Sequence, residues 1–480
     1  MSTAERFEVT PESPWLGLHS FGEATQKYFF GRDDELRELF RRVDHKTLTI
    51  IYGTSGLGKT SLLQAGLIPR LREAGFLPVT IRLGYTREDP SLSRQVIDEL
   101  RAALQSAGRD DLAGFTSESI SFWELFHDPS HGMIRADSSP VVRPVLIFDQ
   151  FEEIYTRGEH RRADVESFRE ALAELVENRP PESLNERIQQ DPDLVDRVVF
   201  EEVGCKILLS LREDFLSQLE RWRPVMPSLI DNRLELRLLS GPKAVMAVFR
   251  PGALRPGKPP IVTSETAAAI VRFVAGVPGD VPLAGIDAVP PLLSLMCAEM
   301  NVQRIAGGHE QISAEQLSGR SEDILEKFYN ARFESAPAGL RELVEDRLLS
   351  ADGYRESLAL DTALGALQGY GVERKSVEEA IARLVDERLL VAEERSGVRR
   401  IELTHDILTG VARRSRDKRR EREALEKVER YSLPQRVLVQ IFLSVCFCPV
   451  NDFPDFRPAK TLAHISGAVV AFPFSGLRLN

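Results

Sequence analysis

Cysteine is scarce, with four in 480 residues and no CxxC pair. That excludes a disulfide scaffold and a zinc ribbon. Basic charge is not in excess: 62 Lys and Arg against 73 Asp and Glu leave a net charge of −11. The chain is therefore not a polybasic nucleic-acid binder. A run long enough to cross a bilayer is also missing. The best candidate, residues 437–450 (VLVQIFLSVCFCPV), is 14 residues with Gln440 inside it, whereas spanning needs about 20. The N-terminal residues MSTAERFEVTPESPW lack an apolar signal core, so a reducing, cytoplasmic location is expected. No 20–50-residue repeat is present, which excludes a propeller or solenoid. What remains is ordinary for a globular protein: 42% hydrophobic and 28% charged residues. At about 150 residues per domain, the length implies roughly three domains.

Strand-like and helix-like segments alternate through the first half. Residues 35–43 read as an amphipathic helix and 47–52 as a buried strand ending at Gly53. A helix, a strand over 76–84 and a helix over 91–108 follow. Residues 144–149 and 205–211 are further buried strands. Such alternation predicts a parallel α/β sheet. The polar, Pro-containing stretch 177–198 reads as a loop or inserted arm, and helical patterning dominates from about 240. The charged run 413–430 ends in a sharp break. Residues 431–480 hold six charged and seven aromatic residues, and Cys446 and Cys448 lack further metal ligands.

The strongest motif is Gly53-Thr54-Ser55-Gly56-Leu57-Gly58-Lys59-Thr60, followed by Ser61. It matches GxxxxGK[ST] between a strand and a helix, the context that gives the pattern meaning. Glycines let successive backbone N–H groups face phosphate oxygens, and the helix N-terminus favours an anion. Lys59 would meet the β- and γ-phosphates and Thr60 would ligate Mg²⁺. The partner strand Val145-Leu146-Ile147-Phe148 ends in Asp149, the second expected Mg²⁺ group. Gln150, Glu152 and Glu153 come next, and each is a candidate to orient or deprotonate an attacking water. Spacing alone does not choose among them, and acidic residues also suit a helix start. Arg212, at the end of the apolar run 207–211, is placed to sense a γ-phosphate or to pair with Glu213 or Asp214.

These elements together resemble the novel STAND branch of P-loop NTPases, signalling ATPases related to AAA+ and NB-ARC proteins. Pro14-Trp15-Leu16-Gly17-Leu18 and Phe21, then Tyr28-Phe29-Phe30-Gly31-Arg32, look like that branch's opening segment. The resemblance places Phe30, Gly31 and Arg32 near the adenine. Asp149-Gln150-Phe151-Glu152-Glu153 is its most specific signature, and Leu211-Arg212-Glu213-Asp214-Phe215 matches its sensor strand. In 289–295 (VPPLLSL), Pro290 or Pro291 stands where related NTPases have a nucleotide-contacting lid proline, and Pro291 enters the expected site set. Residues 361–410 read as a winged helix, with Ser376-Val377-Glu378-Glu379 capping a helix over 377–388 and a hairpin around Arg395-Ser396-Gly397. Thr404-His405-Asp406 resembles the Met-His-Asp motif of NB-ARC switches, in which the His contacts the β-phosphate of ADP. Here the first position is Thr404.

The expected fold class is α/β: a P-loop NTPase parallel sheet, then a helical lid and a winged-helix domain. Expected boundaries are 1–240 for the core, 241–355 for the lid, 356–412 for the winged helix, 413–430 for a charged helix and 431–480 for an apolar, aromatic tail. The resemblance implies an ATP/ADP switch with Mg²⁺, slow hydrolysis and nucleotide-dependent self-association, answering to a trigger ligand or effector protein. Two alternatives stand beside it. A DNA-binding regulator is disfavoured because 376–388 carries a net charge of −2. A membrane-associated scaffold would use the basic run 413–422 and the apolar run after it, although that run is short. In the resembling family the charged helix often leads into a membrane segment or a large repeat domain, and because neither is recognisable in 431–480 the resemblance raises the expectation of a truncated or frameshifted tail.

Overall fold

The computed structural model describes residues 9–86, 88–113, 121–135, 140–201, 204–314, 317, 321–334, 336–350, 352–368, 370, 373–386, 389–395, 398–404 and 407–429. The chain divides into two compact units, Met1–Arg414 and Ser415–Asn480.

The first unit is organised around a parallel sheet of five strands: β1 (Leu48–Gly53), β2 (Leu77–Ile81), β3 (Pro144–Phe148), β4 (Lys206–Arg212) and β5 (Arg233–Glu235). Their order is β2-β3-β4-β1-β5. Successive side chains of a strand face opposite sides of the sheet, and here both sides are covered. Ile50, Leu146, Phe148, Ile207 and Leu209 belong to the core under helices Leu92–Ser106 and Arg162–Val176. Ile51, Val145, Ile147 and Leu208 belong to the other core, under helix Asp33–His45 and the helix that follows the P-loop. Burial on both faces explains why β3 reads as an unbroken apolar run.

Two further cores follow. Helices Gly241–Gly252, Ser264–Ala275 and Pro290–Ala306 enclose one of them, together with Trp15 and the antiparallel pair β6 (Leu239–Ser240) and β7 (Asp287–Ala288). The other is built from helices Leu340–Arg347, Leu360–Gln368 and Arg374–Asp386 and a three-stranded sheet of β8 (Leu358–Ala359), β9 (Leu390–Arg395) and β10 (Val398–Leu403). That sheet is antiparallel in the order β8-β10-β9. Helix Ile407–Glu429 starts in this core, where Leu408, Val411 and Ala412 are buried. Within the second unit, its described turns carry the pair Arg419–Glu423 at 3.1 Å. Among the described residues, no helix is long and apolar enough to cross a membrane.

Two local expectations are corrected. The stretch 177–198 is not a loop: it holds the helix Glu182–Gln190 and the 3₁₀ turns Pro192–Arg197. Pro181 precedes the first turn, where its missing N–H costs nothing, and Leu184 is buried as the anchor. Ser376 does not cap its helix, because Val377 N donates to Glu373 O at 3.2 Å and the helix begins at Arg374. The turn Ser396-Gly397, His405-Asp406 and the tail 431–480 lie outside the described residues.

Candidate nucleotide-binding site

The C-terminal ends of β1, β3 and β4 meet at one edge of the sheet, the position where open α/β sheets bind ligands. Register sets Gly53 beside Arg212 and Phe148 beside Leu209. The loop after β1 turns into its helix at Gly58, whose φ of 86° is a left-handed conformation that a side chain would strain. Lys59 Nζ donates to Gly53 O at 2.9 Å and to Thr54 O at 3.0 Å. Thr60 Oγ1 donates to Asp149 Oδ2 at 2.7 Å. Asp149 Oδ1 accepts from Ser210 Oγ and Gln150 N, both at 3.0 Å. Asp149 is thus oriented from three directions, and Thr60 and Asp149 form a pair of hard oxygen ligands suited to Mg²⁺.

The next residues take separate positions. Gln150 has φ 55°, rare for a non-glycine residue, and its Oε1 accepts from Arg82 Nη2 at 2.6 Å. Phe151 is buried against Phe148 and Trp222. Glu152 lines the cavity and accepts from Arg212 N at 3.3 Å. Burial pushes its carboxyl up to about 7, against the pull of the Lys59 charge. Glu153 points elsewhere, pairing with Arg157 at 3.3 Å and Arg82 at 3.6 Å. Arg212 lines the cavity while pairing with Asp214 at 2.5 Å, and its guanidinium lies 5.0 Å from the centre of the Tyr354 ring.

The N-terminal segment closes another wall. Arg32 is 4% exposed and donates to Leu57 O at 3.0 Å and Glu35 at 3.1 Å, tying this segment to the P-loop tip. Gly31 packs so tightly that a Cβ would lie 2.6 Å from Lys243 O. Phe21 N donates to Ser61 Oγ at 3.1 Å, and the Phe21 and Phe29 rings are 5.7 Å apart.

Together these walls enclose a cavity of about 320 Å³. Of the expected residues, Phe30, Arg32, Ser55, Gly56, Leu57 and Gly58 line it, as do Lys59, Thr60 and Ser61. Asp149, Gln150, Glu152, Arg212 and both Pro290 and Pro291 line it too. Gly31, Gly53, Thr54 and Glu153 are not among the lining residues, and His405 lies outside the described residues. The sequence reading missed Ser210, Arg82, Arg355 and Glu402. Ser210 left a faint signal, as a polar residue inside an apolar strand, fully buried at 0% exposure; Glu402, 4% exposed in a strand that also carries Arg399 and Arg400, left none. Arg82 and Arg355 left none, since an arginine next to a strand is ordinary.

The family model for novel STAND NTPase 1 matches residues 14–430. No curated protein matches the chain by sequence. Solved structures give distant likenesses. A Walker-type ATPase of Pyrococcus abyssi is 13% identical with a TM-score of 0.40, covering 82% of this chain and 98% of its own. The ORC2 protein of Aeropyrum pernix is 12% identical with a TM-score of 0.39, covering 81% and 95%. The ORC1 protein of the same organism, solved in complex with DNA, is 14% identical with a TM-score of 0.37, covering 80% and 92%. With the family match spanning the P-loop, the Asp149 strand and the C-terminal sheet alike, the chain belongs to the novel STAND NTPase 1 family of P-loop NTPases.

Proposed function

We propose that this protein binds ATP and ADP in the 320 Å³ cavity and works as a conformational switch, hydrolysing ATP slowly and self-associating in the ATP-bound form. One observation carries this reading. The cavity is lined at once by the P-loop, by Pro290 and Pro291 of the helical lid, and by Glu402 and Thr404 of the C-terminal sheet region. A nucleotide there touches residues from three parts of the chain, so ATP and ADP can favour different arrangements of them.

The residues suit that ligand. Phosphates at the P-loop would give Lys59 anionic oxygens in exchange for the neutral carbonyls of Gly53 and Thr54. Phe30, Pro290 and Pro291 offer apolar contact to a base. Mg²⁺, held by Thr60 and Asp149, would neutralise charge on the β- and γ-phosphates. Glu152 is the water-activating carboxylate, because it faces the cavity with a proton affinity raised towards neutrality, while Glu153 is engaged by Arg157 and Arg82. We read residues 356–412 as a winged helix serving as an intramolecular lid. Its helix Arg374–Asp386 balances Arg374, Lys375 and Arg383 with Glu378, Glu379 and Asp386, which gives DNA no basic face.

The test is the mass of the purified protein with ADP and with a non-hydrolysable ATP analogue, in wild type and Lys59→Ala. An analogue-dependent shift to a larger assembly that Lys59→Ala abolishes supports the switch. One constant mass in all four samples refutes it.

A further inference from the structure

The end of β2 brings a second guanidinium to the phosphate end of the cavity. Arg82 follows Ile81 directly and lines the cavity with Thr60, Asp149 and Glu152. Its Nη2 donates to Gln150 Oε1 at 2.6 Å and to Glu402 Oε1 at 3.2 Å. Gln150 belongs to the nucleotide-facing turn after β3. Glu402 belongs to β10, 320 residues further along the chain than Arg82. One nitrogen therefore joins the core to the C-terminal sheet.

Glu402 is an unusual residue for its place. It lies between Ile401 and Leu403, both at 0% exposure, and its own side chain is 6% exposed. Burying a carboxylate is costly without cationic partners. It has them: beyond Arg82, Arg157 Nη2 lies at 3.6 Å and Arg355 Nη1 at 3.8 Å. Arg355 also donates to Leu403 O at 2.9 Å and Thr404 O at 3.3 Å, so the cluster grips the end of β10 by backbone as well as by charge. Arg82 makes the shortest of the three contacts to the carboxylate.

We propose that Arg82 is a γ-phosphate-directed cation and that Glu402 competes with the terminal phosphate for it, so that a triphosphate loosens β10 and a diphosphate does not. This rests on the switch reading above. A terminal phosphate carries more charge than a carboxylate and presents three oxygens to a guanidinium fork. Drawing Nη2 towards it lengthens the 3.2 Å contact and shifts the load on Glu402 towards the more distant Arg157 and Arg355. ADP offers no such competitor. The energetic coupling is reciprocal: weakening the contact from the Glu402 side, with the guanidinium left intact, must strengthen triphosphate binding relative to diphosphate.

The experiment measures two quantities in wild type, Glu402→Gln and Arg82→Lys: affinities for ADP and a non-hydrolysable ATP analogue by fluorescence titration, and amide hydrogen exchange across 398–403. In wild type, the analogue speeds exchange in 398–403 and ADP does not. Glu402→Gln raises affinity for the analogue about tenfold with ADP changed less than about threefold, and exchange in 398–403 is fast with either nucleotide. Arg82→Lys lowers analogue affinity about tenfold and spares ADP. It reads the contact independently, should the neutralised carboxylate upset folding. If wild type exchanges differently with the two nucleotides but both variants keep its affinity ratio, the latch is wrong and the switch stands. If wild type shows neither a mass shift nor an exchange difference, the switch itself fails and the latch with it.

Discussion

Thr60 Oγ1 and Asp149 Oδ2 stand 2.7 Å apart although 89 residues separate them in sequence. A hydroxyl from the P-loop helix and a carboxylate at the end of β3 meet across β4, which lies between β3 and β1 in the sheet. Ser210, on that intervening strand, holds the other carboxylate oxygen. Asp149→Asn keeps the shape and removes the charge. Turnover should fall about 100-fold, a loss typical of removing a charge-stabilising group, with thermal unfolding little changed. A colourimetric phosphate-release assay checks it, and wild-type turnover in the variant would remove Asp149 from the site.

Lys59→Ala should weaken both ADP and ATP by about 10- to 100-fold, since it deletes a charged donor to phosphate. Isothermal titration reads both constants. An unchanged ADP affinity would mean that the ammonium stays on the Gly53 and Thr54 carbonyls when nucleotide binds.

Glu152 and Glu153 should separate by pH. A base must be unprotonated, and burial raises Glu152 to about 7. Turnover therefore climbs about tenfold per pH unit below about 7 and levels off above it. Glu152→Gln should abolish most of the activity along with that slope. Glu153→Gln should keep the slope and lower stability instead, by depriving Arg157 and Arg82 of a carboxylate. The same shift has a stability consequence of opposite sense. Between 4.5 and about 7 the folded protein holds a proton that the unfolded chain has released, so Glu152 makes stability fall as pH rises through that window. Glu152→Gln should flatten this part of the pH–stability curve.

Glu12 should behave in the reverse way. It accepts from Lys258 at 2.7 Å, Arg255 at 3.0 Å and Arg304 at 3.2 Å, and the last two side chains are each 4% exposed. Chiefly the hydrogen bonds from Lys258 and Arg255 hold its carboxyl down at about 2. Its stabilisation is present above 4.5 and disappears as pH falls towards 2. Because Glu12 is 41% exposed, solvent screens much of this effect. Glu12→Gln should lower Tm by only about 2–4 °C at neutral pH. Calorimetry of the two proteins at neutral pH and near pH 2 tests it: the gap should close in acid.

Residues close in sequence were the legible part of this protein. Periodicity located β1 to β4, because strands buried on both faces must be continuously apolar, and with them helix Asp33–His45, the helix after the P-loop and helix Leu92–Ser106, but not helix Arg162–Val176. The P-loop was legible for a related reason: one turn of chain carries its glycines, Lys59 and Thr60, so spacing and chemistry coincide. β5 escaped notice, being three residues long at the sheet edge. Helix Glu182–Gln190 escaped because its polar surface leaves Leu184 as its one buried anchor.

By itself, then, the sequence determined the α/β core, the phosphate loop and the acidic turn after β3. Each is a local pattern whose residues act within a few positions of one another. Only the tertiary structure decided which glutamate faces the cavity, how Ser210 holds Asp149, and that Arg82 meets Glu402. Those outcomes depend on strand order and on how separate cores meet, and a charge 320 residues away leaves no periodic trace. Burial then gives them their strength, because withdrawing these groups from water makes each pairing consequential.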